Sequence, residues 1–328
     1  MTAAHDNMDR ARILDLYRTM RRIRTFEEAA AASQKDGHVT GAIHQTIGQE
    51  AVAAGVCASL RATDLLTSNH RGHGHALAKG ADSTAMMCEL FGKAGGTCQG
   101  KGGSMHIADF DVGMLGANGV VGAGITIAVG AAHAVRLRRT DQIVVCFFGD
   151  GAVNRGPFLE GLNWAAVHAL PILFVCEDNG FAATTRTAEL TAGPGIAARA
   201  ESLGVAARTV DGNDVVAVDG LTGELVAEVR AGGGPRLICA RTYRLKGHTT
   251  ADAEAYRSAD EVAAHAADEP IGRCRALLQD LGAAATEIIA METEAQEEID
   301  QAVAAAVAAP WPEAALAFAD VQDIGAPL

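Results

Sequence analysis

Two apolar runs that each end in an oxygen-bearing side chain constrain the fold of this chain more than any other feature. Ile143-Val144-Val145-Cys146-Phe147-Phe148 runs into Gly149-Asp150-Gly151, and Ile172-Leu173-Phe174-Val175-Cys176 runs into Glu177-Asp178-Asn179. Short continuous apolar runs bounded by polar and glycine residues read as strands of a parallel sheet covered on both faces. Asp150 and Asn179 stand 29 positions apart (179 minus 150), room for one strand-helix-strand crossover. One carboxylate and one amide oxygen therefore arrive at the carboxyl ends of parallel strands. Hard divalent cations such as magnesium take oxygen ligands of this kind and share them with phosphates. Gly149 and Gly151 let the backbone approach a diphosphate. An Asp-Gly alone is usually a turn; the two-part match at this spacing reads as a metal-diphosphate holder.

The rest of the chain alternates strand and helix. Ile13, Leu16, Tyr17, Met20, Ile23 and Phe26 recur at helical spacing over 9–35, and Gly37 ends that helix. Residues 48–60 and 83–92 read as helices, with a short strand at 64–68 between them. Residues 92–124 are rich in glycine and polar residues, too long for an ordinary connection, and read as a functional loop. A helix over 125–138, a strand over 142–148, a helix over 157–169 and a strand over 171–177 follow. A looser stretch (180–200) precedes another strand-helix repeat. A strand over 236–242 leads to a polar loop over 244–258, and helices close the chain over 259–280 and 284–308. The expected organisation is an N-terminal helix (1–36), an α/β domain (37–258) and a C-terminal helical extension (259–328). The fold class is α/β, a parallel sheet with helices on both faces.

Bulk properties exclude some functions. The formal net charge is -13, against the basic face that nucleic-acid binding wants. Hydrophobic residues make up 49%, enough for a substantial core, yet no apolar run approaches the ~20 residues of a membrane span. The seven cysteines show no CxxC, and Cys146 and Cys176 sit inside apolar strands, so reduced thiols in a cytoplasmic setting are expected. No basic-then-apolar N-terminal signal appears.

Three further constellations carry chemistry. His70, His73 and His75 crowd a glycine-rich segment; without a helix face, Cys or carboxylate they make a poor zinc site. A cationic loop facing phosphate, with Arg71 as bidentate donor, fits better. Gly100-Lys101-Gly102-Gly103-Ser104-Met105-His106 looks like a phosphate cradle, although it lacks the P-loop order. Gly119-Val120-Val121-Gly122-Ala123-Gly124 has the wrong order for a dinucleotide fingerprint. His44 and His248 are isolated in sequence; His248 stands out because it ends the charged Tyr243-Arg244-Leu245-Lys246-Gly247-His248.

The two-part pattern resembles the thiamin diphosphate motif, GDG followed just under thirty residues later by NN, with Asp178 in place of the first Asn. With GQEA (48–51), TSNHRGHGHALAKG (67–80), GKGGSMHIAD (100–109), MLGANGVVGAG (114–124), FFGDGAVNRG (148–156), LPILFVCEDNGFA (170–182) and RTYRLKGH (241–248), the resemblance spans about 14–321. Together they resemble the alpha subunit of the thiamin-dependent first component of the 2-oxo acid dehydrogenase complexes. HRGHGH and MLGANGVVG are most similar to its acetoin-cleaving branch; pyruvate and branched-chain members usually carry Tyr-Arg where this chain has His70-Arg71.

The resemblance implies a thiamin diphosphate-binding fold and a set of roles. Asp150 and Asn179 bind magnesium by side chain and Phe181 by its backbone oxygen. Gly149 adjoins the diphosphate, and Gly151 and Ala152 contact it through the backbone. His70, Arg71 and His248 also reach it, and Gly119 and Val121 hold the aminopyrimidine. His44 faces the substrate, and His248 lies on a loop that orders when cofactor binds. It implies a beta subunit in an alpha2-beta2 assembly, a lipoyl-bearing acyltransferase and a small-molecule substrate, acetoin or a 2-oxo acid. Arg155, Thr126 and Lys246 depart from the usual residues, which leaves the substrate open. A stand-alone carboligase, a non-catalytic subunit and a nicotinamide dehydrogenase subunit are the competing readings.

Overall fold

The computed structural model describes residues 9–319. The first eight residues of the expected N-terminal unit, and the chain beyond 319, lie outside the described residues. Asp9 caps α1 (Arg10–Lys35), its carboxylate accepting from the amide of Ala11 at 3.0 Å. Then come α2 (Glu50–Cys57), β1 (Leu65–Thr67), α3 (Gly72–Lys79), α4 (Ser83–Leu90), β2 (Met114–Gly116), α5 (Ala123–Arg138) and β3 (Val144–Gly149). The middle of the chain gives α6 (Gly156–Val167), β4 (Ile172–Asp178), a hairpin of β5 (Phe181–Ala182) and β6 (Thr185–Arg186), and short helices α7 (Thr187–Leu190) and α8 (Ile196–Glu201). The last part runs β7 (Ala206–Asp211), α9 (Val215–Arg230), β8 (Arg236–Arg241), α10 (Ala259–Ala266), α11 (Pro270–Asp280) and α12 (Ala285–Ala308).

Six strands form one parallel sheet in the order β2-β1-β3-β4-β8-β7. Alternate side chains of β3 and β4 serve two cores. Val145, Phe147, Leu173 and Val175 meet Phe26, Val56, Met87, Val226 and Ile299 on one face. Val144, Cys146, Phe148, Ile172 and Phe174 meet Ile125, Val129, Phe158 and Leu162 on the other. Both faces are apolar, which is why these strands read as unbroken runs in the sequence. A third cluster joins Ile13, Leu16 and Tyr17 of α1 to Leu278 of α11 and Ile288 of α12. The α/β expectation, with helices on both faces and a helical C-terminal extension, is borne out.

Three local expectations fail. Residues 70–75 were expected to be loop, but α3 begins at Gly72 and carries His73 and His75 on buried positions. The 92–124 loop contains the edge strand β2, three residues paired with β1. The helix expected over 259–280 is two helices, because Pro270 starts α11 and Glu269 caps it.

Candidate active site at the carboxyl ends of four strands

The sheet order puts the carboxyl ends of β1, β3, β4 and β8 side by side, where open α/β sheets hold their ligands. β1 leads to Asn69, His70 and Arg71, β3 to Asp150, β4 to Asn179, and β8 to Arg244 and His248. These groups surround a cavity of about 460 Å³. The residues to which the resemblance gives roles line it: His44, His70, Arg71 and His248, and Asp150, Asn179 and Phe181. Gly149, Gly151, Ala152, Gly119 and Val121 line it as well. Gly151 is required by the hairpin, since a Cβ there would stand 2.9 Å from that of Ala182.

The acidic side is held from behind. Asp150 is buried, and its Oδ1 accepts from the amide of Gly151 at 2.8 Å and its Oδ2 from the hydroxyl of Thr187 at 2.5 Å. Burial pushes its carboxyl up to about 6, with the hydroxyl and amide opposing. The amide nitrogen of Asn179 donates to Gln49 Oε1 at 2.7 Å, which fixes which way the amide points. Its Oδ1 accepts from the amide of Phe181 at 3.1 Å and keeps a second lone pair. A carboxylate that costs free energy to ionise, beside an oriented amide oxygen, suits a dication.

The opposite side is cationic. Arg71 is buried and donates to the carbonyl oxygens of Gln45 at 2.7 Å and His248 at 2.9 Å. Arg244, only 1% exposed, donates to Tyr256 Oη at 2.7 Å and to the carbonyl of Ala183 at 3.0 Å. Among the described residues neither guanidinium has a carboxylate within ion-pair distance. Burial lowers both, Arg71 to about 9 with the charge of Arg244 adding to it, and Arg244 with the charge of Arg257 adding to it. Two buried cations with carboxylates nearby (Glu177 and Glu27 for Arg71, Asp252 for Arg244) but none in contact are expensive unless a ligand supplies the contact. The sequence reading did not single out Arg244 as a site residue, nor Gln49 or Thr187; Gln49 and Arg244 stand inside the GQEA and RTYRLKGH motifs, but Thr187 carries no signal.

Three imidazoles complete this side. The rings of His44, His70 and His248 meet edge to face, centroids 4.8 to 5.7 Å apart. Burial, then the charge of Arg71, lowers them to about 3, 2 and 4 respectively, so all three are neutral near pH 7. One nitrogen from each lies within 4.8 Å of the others. With Nδ1 of His248 engaged by arginine donors and two guanidinium groups adjacent, the cluster suits an anion better than a metal ion.

The neighbouring histidines do other work. Of the cationic stretch read in the sequence, only His70 and Arg71 face the cavity. His73 bridges Glu27 Oε2 at 3.0 Å and Ser104 Oγ at 2.9 Å, fully buried. His75 meets Ser68 Oγ at 2.8 Å and stacks on Phe147, with Glu177 3.3 Å from its Nε2.

The glycine-rich loop read as a phosphate cradle is already filled. The amides of Cys98, Gly100, Gly102 and Gly103 donate at 2.7 to 3.0 Å to the carboxylate of Glu89, which is fully buried on α4. Gly100 sits at φ 75, and a Cβ there would stand 2.5 Å from the backbone of Gly92. The loop is an anion nest whose anion is internal, so the cradle reading is corrected.

The family model described as "Dehydrogenase E1 component" matches residues 18–315. The chain is 44% identical over 308 residues to the alpha subunit of an acetoin:2,6-dichlorophenolindophenol oxidoreductase from Bacillus subtilis, covering 93% of this chain and 92% of that one. It is 43% identical to the protein of the same name from Cupriavidus necator, with the same coverages. It is 36% identical to the pyruvate dehydrogenase E1 component subunit alpha of Rhizobium meliloti, over 94% and 89% of the two chains. These matches span nearly the whole chain at a level that carries fold and family together, and the chain belongs to the dehydrogenase E1 component family.

Proposed function

We propose that this chain is the alpha subunit of a thiamin diphosphate- and magnesium-dependent enzyme that cleaves acetoin and passes the acyl group to a lipoyl carrier. The observation that carries the reading is the polarity of the cavity: Asp150 and Asn179 line it together with two buried arginines that, among the described residues, have no carboxylate within ion-pair distance. A magnesium-bound diphosphate has the complementary charge pattern. Asp150, Asn179 and the carbonyl of Phe181 would hold the metal. Arg71, Arg244, His70 and His248 would hold the diphosphate, with backbone contacts from Gly149, Gly151 and Ala152. Gly119 and Val121 would seat the aminopyrimidine, and His44 would face the substrate. When bound, the cofactor supplies the carbanion that attacks a carbonyl. The chain's own part is orientation, charge compensation and neutral imidazoles beside the reacting centre.

A partner is supported by an exposed apolar face on α5 and α6. Ile127, Leu137, Leu159, Trp164 and Val167 are each 47 to 73% exposed there; Val120 and Val121, just before α5, are exposed too, and Val121 lines the cavity. We assign it to the beta subunit of an alpha2-beta2 assembly. Among the described residues no helix is long and apolar enough to cross a membrane. The acetoin reading is favoured over pyruvate by the two relatives above 40% identity and by His70-Arg71.

The test is dye reduction by the chain co-expressed with its candidate beta subunit, with acetoin, pyruvate and branched 2-oxo acids, with and without thiamin diphosphate and magnesium. Acetoin-dependent reduction that disappears in Asp150→Ala is expected. Activity on a 2-oxo acid alone would move the substrate, and activity of the alpha chain by itself would refute the assembly.

A further inference from the structure

Nδ1 of His248 has two neighbours that can only donate. Arg71 Nη2 lies 3.0 Å from it and Arg244 Nη1 3.4 Å. A guanidinium offers N–H groups at every nitrogen and no lone pair. An imidazole nitrogen that receives them must be the unprotonated one, and in a neutral ring the proton then sits on Nε2.

Both donors are fixed from elsewhere. Arg71 is anchored on the carbonyl of Gln45 at 2.7 Å. Arg244 is anchored on Tyr256 Oη at 2.7 Å, and Tyr256 donates onward to Asp252 Oδ2 at 2.9 Å. Asp252 Oδ2 also accepts the main-chain N–H of His248 at 2.6 Å, so the ring and one of its donors hang from the same carboxylate. Arg257 ties the loop down through the carbonyls of Arg244 and Leu245. The charged and titratable groups around the ring are Arg71, Arg244, His44, His70 and Asp252.

We propose that Arg71 and Arg244 together lock His248 in its Nε2–H tautomer, making it a hydrogen-bond donor to an anionic or developing oxyanionic group in the cavity and removing it as a general base. Arg244 is in this sense a positioning residue: it acts through the imidazole. Proton acceptance then falls to an imidazole that no guanidinium holds, and His44, whose buried Nδ1 has no hydrogen-bond partner among the described residues, is the better placed. The lock is a property of the chain alone; only its use on a diphosphate or substrate rests on the thiamin reading.

The experiment is long-range proton–nitrogen NMR on the full chain carrying nitrogen-15 histidine, near pH 7. His248→Gln assigns the resonance by its loss. The expected result is one tautomer, Nδ1 unprotonated and Nε2 protonated. Tyr256→Phe, which frees Arg244 from its anchor and leaves Arg71 in place, shifts the signals no further than Arg244→Met does. Arg71→Met shifts the pair of nitrogen signals toward a mixture, Arg244→Met does so by less, and the double variant loses the preference. A wild-type ring protonated at Nδ1, or a double variant with the wild-type spectrum, overturns the proposal. Calorimetric binding of thiamin diphosphate with magnesium, run on the same samples, tests the cofactor reading separately: its failure leaves the tautomer result standing.

Discussion

Two places in this molecule are built to hold negative charge, and only one is closed. In the loop after α4, four backbone amides converge on Glu89, a carboxylate of the chain itself. In the cavity, Arg71 and Arg244 converge on His248, and among the described residues neither has a carboxylate within ion-pair distance. Both regions are rich in glycine and cation-bearing residues, and in sequence both look like phosphate binders. The difference teaches that a nest becomes a ligand site only where the fold leaves the counter-charge out. A filled nest contributes stability; an unfilled one costs stability and gains affinity.

The comparison can be broken most sharply at Glu89. Glu89→Ala strands four amides and is expected to cost about 3–5 kcal/mol, as removal of one partner from a buried charged network does. A melting temperature within a degree or two of wild type would show that the nest is not structural. Arg71→Met has the opposite signature. Diphosphate-cofactor affinity falls about a hundredfold or more, equivalent to roughly 2.7 kcal/mol, while the unloaded chain is as stable as wild type or more so. Strong destabilisation without ligand would place Arg71 with Glu89 rather than apart from it.

Asp150 gives a pH test. Its carboxyl rises from 3.8 to about 6 on folding, so the folded chain binds the proton more tightly than the unfolded one. Stability therefore falls as pH rises through that window, and the cost is fully present at pH 7. Asp150→Asn is expected to stabilise the unloaded chain at pH 7 by on the order of 1–3 kcal/mol, with no gain at pH 3.5, and to abolish metal-dependent cofactor binding. Equal melting curves at both pH values would sink this. In wild type, cofactor affinity should weaken below pH 6 as the ligand protonates. The smallest effect is a rescue: millimolar formate should restore part of the stability lost in Glu89→Ala, about 0.5–1 kcal/mol by mass action, beyond the shift it gives wild type through the open cationic cavity. No rescue would mean that the nest collapses when emptied.

Much of the site was legible because its parts are local. β3 and β4 announce themselves as apolar runs, and Asp150 and Asn179 follow directly at their ends. What was hidden depends on distant partners. α3 contains two glycines and two histidines and shows no apolar stripe; its polar face is buried because Glu27, Ser68 and Ser104 accept or donate to it. β2 is three residues long, too short to carry a period. Nothing in Gly100–His106 says which anion fills it, since Glu89 lies on the preceding helix. The break before α11 is different: Pro270 was visible and a helix was read through it.

The order of the strands has a consequence for how the chain acquires this site. β1, β3, β4 and β8 are ladder neighbours, yet the residues they deliver run from His70 to His248. The cationic wall is assembled from segments that precede and follow the acidic one in the chain, and the parallel ladders between them join segments far apart, the slowest kind of contact to close. Cofactor binding during refolding should therefore appear only with the last kinetic phase, and a chain stalled during synthesis before β8 would have Asp150 and Asn179 without Arg244 and His248.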